Sequence, residues 1–279
     1  MNWLQAAVLG IIQGLTEFLP VSSSGHLVLG SRCLGLPSPG LSFSIWVHIG
    51  TAVATVVMLH KEIAWLVKSL LAPETYDDRR RALAIAGYIV AASVPAALVG
   101  LLLEDLVDSS FSSTMIASAG LIITGCFLQL SRRKTGPALM ERQDRTESPQ
   151  ALTTVTFPRS LVVGVFQAVA IVPGISRSGL TMTSGIMSGM SREDAARFSF
   201  LLSLPAVFGS AVLDVRSALA AQVPVVTAHG LIGSAISFLT GLFALGIVFK
   251  TVREGELWKF SYYCWAVGIC FLALSFARP

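Results

Sequence analysis

Six apolar stretches, residues 41–59, 82–103, 109–131, 198–213, 225–249 and 260–276, contain no Asp, Glu, Lys or Arg. A bilayer core about 30 Å thick is crossed by roughly 20 helical residues, so each is a candidate span. Only 13% of the chain is charged, against about 25% in soluble domains, and the mean hydropathy is +0.72. A soluble fold is excluded; the expectation is an all-α integral membrane protein. The first run, residues 1–19, has no Lys or Arg ahead of it and carries Glu17, so it reads as mature structure rather than a signal peptide.

A net charge of +4 and a pI near 9.0 raise the question of nucleic acid, but the basic residues sort by topology instead. Residues 61–81 hold five Lys or Arg and residues 132–159 hold six, which makes both segments cytoplasmic. Residues 104–114 hold three acidic residues and no basic one, so they lie outside. Lys250, Arg253 and Lys259 mark another cytoplasmic turn. With this threading, 16 of the 20 basic residues are inside, Arg192 and Arg197 included; Arg32, Arg216 and Arg278 are outside, and Arg177 is left over. No nucleic-acid partner is expected. The four cysteines show no metal-type spacing, and three fall in apolar runs, so they read as buried structural thiols.

Two further regions, residues 1–30 and 160–190, are apolar but broken by Pro, Gly and Ser, and read as re-entrant pairs of half-helices. At an offset of 154, Gly10, Gln13, Ser22, Ser24 and Gly25 coincide with Gly164, Gln167, Ser176, Ser178 and Gly179; one residue further on, Phe43-Ser44 coincides with Phe198-Ser199. Each half is one re-entrant hairpin plus three spans, and an odd number of spans inverts the second copy. The expected architecture is an inverted-topology repeat, residues 1–131 and 160–279, joined by a cytoplasmic loop 132–159, with six transmembrane helices and two re-entrant hairpins in a single membrane domain. Broken helices at matching positions of such repeats point to a midplane site. Irregular backbone at that depth must be buried in protein or line a wet cavity, so the two breaks should face each other.

The first break reads Gln13-Gly-Leu-Thr-Glu17-Phe-Leu-Pro-Val-Ser22-Ser23-Ser24-Gly25-His26. Gln13 and Glu17 lie on one helical face. A charge at this depth costs about 2.5 to 3.5 kcal/mol on insertion scales, which marks Glu17 as functional, unless it sits at the membrane surface. Its carboxylate and the Gln13 carbonyl suit a hard divalent cation. Ser22, Ser23 and Ser24 offer hydroxyls and His26 a base, acid or nucleophile; alternatively the serines only cap a half-helix and His26 is a neutral ring held in the bundle. His48, His60 and His229 have no polar cluster beside them and read as structural.

The second break, Pro173-Gly174-Ile-Ser176-Arg177-Ser178-Gly179-Leu-Thr181, has an anion-binding composition. Arg177 holds phosphate through a planar fork, and half-helix amides add donors; Arg177 balancing Glu17 as a buried pair is the alternative. Gly174, Ser176, Ser178 and Thr181 join Gln13, Ser22 and Ser24 as candidate substrate contacts. Phosphoryl chemistry on a lipid headgroup is the simplest fit.

On these two segments, in this order and at this separation, the chain resembles the undecaprenyl-diphosphate phosphatase family, also known for conferring bacitracin resistance, over essentially its whole length. The resemblance implies a multi-pass enzyme of the bacterial inner membrane. It would hydrolyse undecaprenyl diphosphate to undecaprenyl phosphate and inorganic phosphate, recycling the lipid carrier for peptidoglycan synthesis. It also implies a magnesium or calcium requirement and an active site open to the periplasmic side. By position, Glu17 and Gln13 match the family's acidic pair, Ser23 and His26 its proposed catalytic hydroxyl and imidazole, and Arg177 its essential arginine. Gln in place of a first glutamate removes one negative charge from the metal site. Ser23, His26 and a metal-bound water all stay open as nucleophile. The rival reading is a transporter of polyprenyl phosphate; an ion channel is disfavoured, since the spans carry no ring of charge and no carbonyl-filter motif. The expected partners are the polyprenyl diphosphate substrate and membrane lipids. A homo-oligomer is compatible with the sequence.

Overall fold

The computed structural model describes residues 1–103, 110, 113–132 and 152–277. Asp105, Asp108, Arg278 and residues 133–151, on which part of the topology reading rests, lie outside the described residues. Eleven helices are described: α1 Trp3–Phe18, α2 Ser23–Cys33, α3 Leu41–Met58, α4 His60–Leu71, α5 Tyr76–Leu102, α6 Thr114–Arg132, α7 Phe157–Val169, α8 Arg177–Met187, α9 Arg192–Ala220, α10 Ala228–Glu254 and α11 Phe260–Ala277. Six of these segments are long and apolar enough to cross a membrane: α3, α5, α6, α9, α10 and the stretch Leu257–Phe276. They match the six runs expected, although α9 extends well beyond both ends of its run. Large apolar side chains such as Val90, Val212, Leu239, Phe243 and Ile269 stay exposed, the outward face that lipid requires. The same outward faces take Cys126 and Cys270, and Cys33 is exposed too, so only Cys264 is the buried thiol expected. An apolar run in a membrane protein packs one side only.

The two broken elements form as expected. Asn2 and Gln5 close a capping box at the start of α1 (2.7 and 2.8 Å). α1 stops before Pro20, where Leu19 takes the extended conformation (ψ 140°) that a following proline imposes. Ser22, at φ 67°, then caps α2 by accepting from the Gly25 amide at 3.3 Å. In the second element Ser176 accepts from the Gly179 amide at 3.1 Å to start α8. Ser22 and Ser176 thus each cap a half-helix.

The breaks face each other. A Cβ on Gly25 would lie 3.0 Å from Gly174 Cα, and one on Gly179 would lie 3.3 Å from the Pro20 ring. Gly174 has φ +90° and backs onto the Ala117 carbonyl of α6, so any side chain there would collide; Gly120, one turn on, lies against the Pro173 carbonyl. Backbone groups left unpaired by the breaks find side chains, as a lipid-embedded site demands. Thr124 Oγ1 donates to Gly174 O at 3.0 Å and accepts from the Ser176 amide at 2.9 Å. Ser178 Oγ donates to Leu19 O at 3.3 Å, and Cys264 Sγ to Pro20 O at 3.6 Å.

Contacts at the two ends of the bundle sort the segments by face. At one end Arg197 pairs with Glu62 (3.2 Å) and Glu193 (3.5 Å), and Arg253 with Glu193 (2.7 Å), so α4, the start of α9 and the end of α10 lie together. Asp194 accepts from the Leu152 and Thr154 amides there (2.5 and 2.8 Å). At the other end Ser42 Oγ donates to Pro224 O (2.5 Å), Trp46 Nε1 to Val225 O (2.9 Å), and Trp3 stacks on His229 at 4.1 Å. Residues 61–81, 192–197 and 250–259, grouped in the sequence by positive charge, thus share one face.

Candidate active site

Glu17 lies in the last turn of α1 with its side chain 5% exposed, and both of its carboxylate oxygens meet donors. Arg177 Nη2, from the first residue of α8, donates to Oε1. Ser23 Oγ, from the first residue of α2, donates to Oε2 at 2.6 Å, and Gln13 Nε2 donates to the same oxygen at 2.9 Å. The fully buried Gln13 keeps Oε1 without a partner among the described residues. Arg177 Nη1 leans on Ser203 O at 3.4 Å, in α9 two residues before Pro205. Arg177 balances Glu17, and with its side chain 23% exposed it keeps an edge on open space.

That space is a cavity of about 160 Å³ whose wall includes Glu17, Ser22, Ser23, Ser24, His48, Ser176 and Arg177, with Ala170, Ile171, Ile175, Ala206, Val207 and Ser210 completing it. It is smaller than the roughly 300–1,000 Å³ that encloses a whole small molecule, which suits a polar head with the rest of the ligand outside. α2 and α8 both begin at its wall, so two helix N-termini supply partial positive charge where an anion would sit. The offset of 154 pairs Glu17 with Ile171 and Ser23 with Arg177. Each half brings to the cavity what the other lacks. Gln167, the counterpart of Gln13, is buried with neither amide atom partnered among the described residues.

Other expected contacts sit behind the wall. Gly174 and Ser178 build the breaks as described above. Thr181 Oγ1 donates to Arg177 O at 2.7 Å and lies 2.5 Å from Ser199 Oγ, fully buried. His26 does not line the cavity. Its Nδ1 lies 2.8 Å from Ser22 O, which can only accept, so Nδ1 carries the proton. Nε2, in the neutral ring, accepts from the Tyr263 hydroxyl at 2.8 Å, and the two rings stack at 11°. Sequence reasoning missed His48, Ser210, Tyr263 and Thr124. The one pointer toward the α3 wall was the matched pair Phe43-Ser44, one helical turn before His48.

A divalent cation fits this donor set in one way. Among the described residues no group of three or more His, Cys, Asp or Glu converges, so an ion there would take few ligands of those types. The Glu17 carboxylate at the cavity wall suits an ion of magnesium type, held by few protein oxygens together with phosphate and water; Gln13, buried behind it with its amide nitrogen toward Glu17, would bring its orphaned carbonyl to such an ion only by turning over.

Comparison with known proteins decides the family. A family model described as bacitracin resistance protein BacA matches residues 6–270. The chain belongs to that family. Among its relatives, the undecaprenyl-diphosphatase of Desulforapulum autotrophicum is 39% identical over 99% of both chains. That of Trichlorobacter lovleyi is 41% identical over 98% of this chain and 97% of its own, and that of Korarchaeum cryptofilum 39% identical over 98% and 100%. The family model and these relatives span both breaks, so Glu17, Ser23 and Arg177 lie within the shared region.

Proposed function

We propose that the chain hydrolyses undecaprenyl diphosphate to undecaprenyl phosphate and inorganic phosphate, recycling a lipid carrier for cell-wall synthesis and conferring bacitracin resistance. The observation that carries this reading is the Ser23–Glu17 hydrogen bond beside Arg177 in a cavity sized for a headgroup. It favours hydrolysis over transport, because moving a headgroup calls for Arg177 but not for a hydroxyl held on a carboxylate.

The chemistry follows from the contacts. The terminal phosphoryl group enters between the N-termini of α2 and α8, where Arg177 and the helix amides meet its oxygens. Ser23 Oγ attacks the terminal phosphorus as its proton passes to Glu17 Oε2, and the bond to the bridging oxygen breaks, releasing the polyprenyl phosphate. The departing polyprenyl phosphate carries off the Glu17 proton; water, deprotonated by the freed Glu17, then cleaves the phosphoserine to inorganic phosphate, and that proton returns from Glu17 to Ser23 Oγ. Glu17, joined by Gln13 Oε1 once that amide turns over, would hold a magnesium or calcium ion, which supplies neutralisation of the diphosphate when bound. Charge spread over the transferring oxygens accounts for most of the rate gain. His26 acts through position: its bonds to Ser22 O and Tyr263 fix the first turn of α2, on which Ser23 sits. Purified protein in detergent is expected to release phosphate from undecaprenyl diphosphate and to stop in EDTA. Folded protein that releases none would defeat the reading, and release unchanged by EDTA would remove the cation from it.

The halves 1–131 and 160–279 are read as inverted copies, on the matched caps at Ser22 and Ser176. In addition, α1 packs on α10 as α7 packs on α5. The cavity is placed on the extracytoplasmic side of a bacterial inner membrane. His48 is about two turns into α3 from Leu41, and Ser210 is nearer Ala220 than Arg192, so the cavity lies toward the face opposite the Arg197–Glu62 pairs. In a cysteine-free background, a cysteine at Ser38 should label with an impermeant maleimide on intact cells and one at Glu74 should not; the reverse would turn the site to the cytoplasm.

A further inference from the structure

We infer that His48 is a substrate-binding residue of this site, its Nε2 holding a phosphoryl oxygen of the diphosphate. The inference rests on the hydrolase reading above and adds to it a recognition group from α3, outside both breaks.

His48 walls the cavity together with Glu17, Ser23 and Arg177. Its Nδ1 lies 2.8 Å from Ser44 O, one turn back in the same helix. A carbonyl only accepts, so the proton sits on Nδ1 and the ring is fixed with Nε2 on its far side. Nε2 has no hydrogen-bond partner among the described residues, whereas both nitrogens of His26 are engaged. The backbone that carries His48 is itself fixed. Ser237 Oγ of α10 donates to Val47 O at 2.9 Å, and Gly50 packs against Ser234 so closely that a side chain there would collide.

The matching position in the second half reaches the same site. Ser203 follows Ser199 by four residues as His48 follows Ser44, and the Ser203 carbonyl is where Arg177 Nη1 rests. α3 and α9 thus flank the site at equivalent levels, one with a carbonyl that steadies the arginine and one with an imidazole.

Hydrogen bonding to the headgroup is the role left for that imidazole. The Ser23 proton already points at Glu17 Oε2 (2.6 Å), so the attacking hydroxyl has its acceptor. Arg177 is partly committed to Glu17, and Ile171, Ile175 and Val207 offer no donor. Nε2 presents a lone pair to a phosphate O–H or, protonated, an N–H to a phosphate oxygen. An amide of similar reach can make either bond, which separates this role from proton transfer.

The test compares His48→Gln, His48→Asn and His48→Leu in full-length protein in detergent. It measures KM and kcat for undecaprenyl diphosphate and the inhibition constant of methylenediphosphonate. His48→Leu and the shorter His48→Asn should raise KM and the inhibition constant by roughly 10- to 100-fold, the loss expected for a hydrogen bond to a charged group. His48→Gln should keep both within about fivefold, as an amide that retains the bond. If His48→Leu does not fold, the Asn and Gln pair carries the same contrast. KM and inhibition constant unmoved in the Asn variant would overturn the inference, as would a His48→Gln enzyme that loses kcat while KM holds, the mark of a proton carrier. Wild-type protein that releases no phosphate would instead defeat the hydrolase reading itself.

Discussion

Arg177→Ala is expected to lower turnover by at least a hundredfold, equivalent to about 2.7 kcal/mol of transition-state stabilisation. The guanidinium is the one cation at the cavity wall among the described residues, and it sits at the N-terminus of α8 where phosphoryl charge would gather. A charge-assisted contact in a site shielded from water is among the strongest a protein can direct at a transferring phosphoryl group. The substitution also strips Glu17, 5% exposed, of its countercharge. Breaking a buried pair from one side costs about 3–5 kcal/mol, so thermal unfolding must be measured beside kcat. Arg177→Lys separates the two effects: it keeps the charge and loses the planar fork, and should recover stability more fully than turnover. Near-normal turnover in Arg177→Ala would remove Arg177 from the chemistry.

Glu17→Gln should be more severe, with turnover down by about three orders of magnitude, since a positioned base alone contributes roughly 10²–10⁴-fold. The amide preserves the shape of the carboxylate but removes the anion that Ser23, Gln13 and Arg177 all donate to. It cannot take the Ser23 proton, and it leaves Arg177 with no carboxylate in contact. Added magnesium or calcium should fail to restore the rate, because the remaining Gln13 carbonyl is neutral. A Glu17→Gln enzyme within tenfold of wild type would show that the proton leaves Ser23 by another route.

Glu17 and Arg177 were legible in the sequence because a charge inside an apolar run is costly enough to need a reason. Their pairing followed from the requirement that broken backbone be buried against protein, here met by Gly25 on Gly174 and Ser178 on Leu19. The serines were ambiguous for a physical reason. A hydroxyl at the start of a half-helix suits capping and catalysis alike; Ser22 and Ser176 cap, whereas Ser23 is turned to Glu17. His26 stood in the motif yet points away from the cavity toward Tyr263 on α11. A position one turn along a helix does not fix which neighbour a ring will meet. His48 and Thr124 were invisible because each is a lone polar residue on a span, and only the packing of α3 and α6 against the breaks brings them to the site.

The central claim, that a serine held on a carboxylate in a headgroup-sized cavity performs the hydrolysis, is tested most directly by phosphate release from undecaprenyl diphosphate. Wild type and Ser23→Ala should be compared at equal amounts of folded protein. Steady release by wild type and none above background from Ser23→Ala is the predicted result; release by Ser23→Ala at the wild-type rate would contradict it.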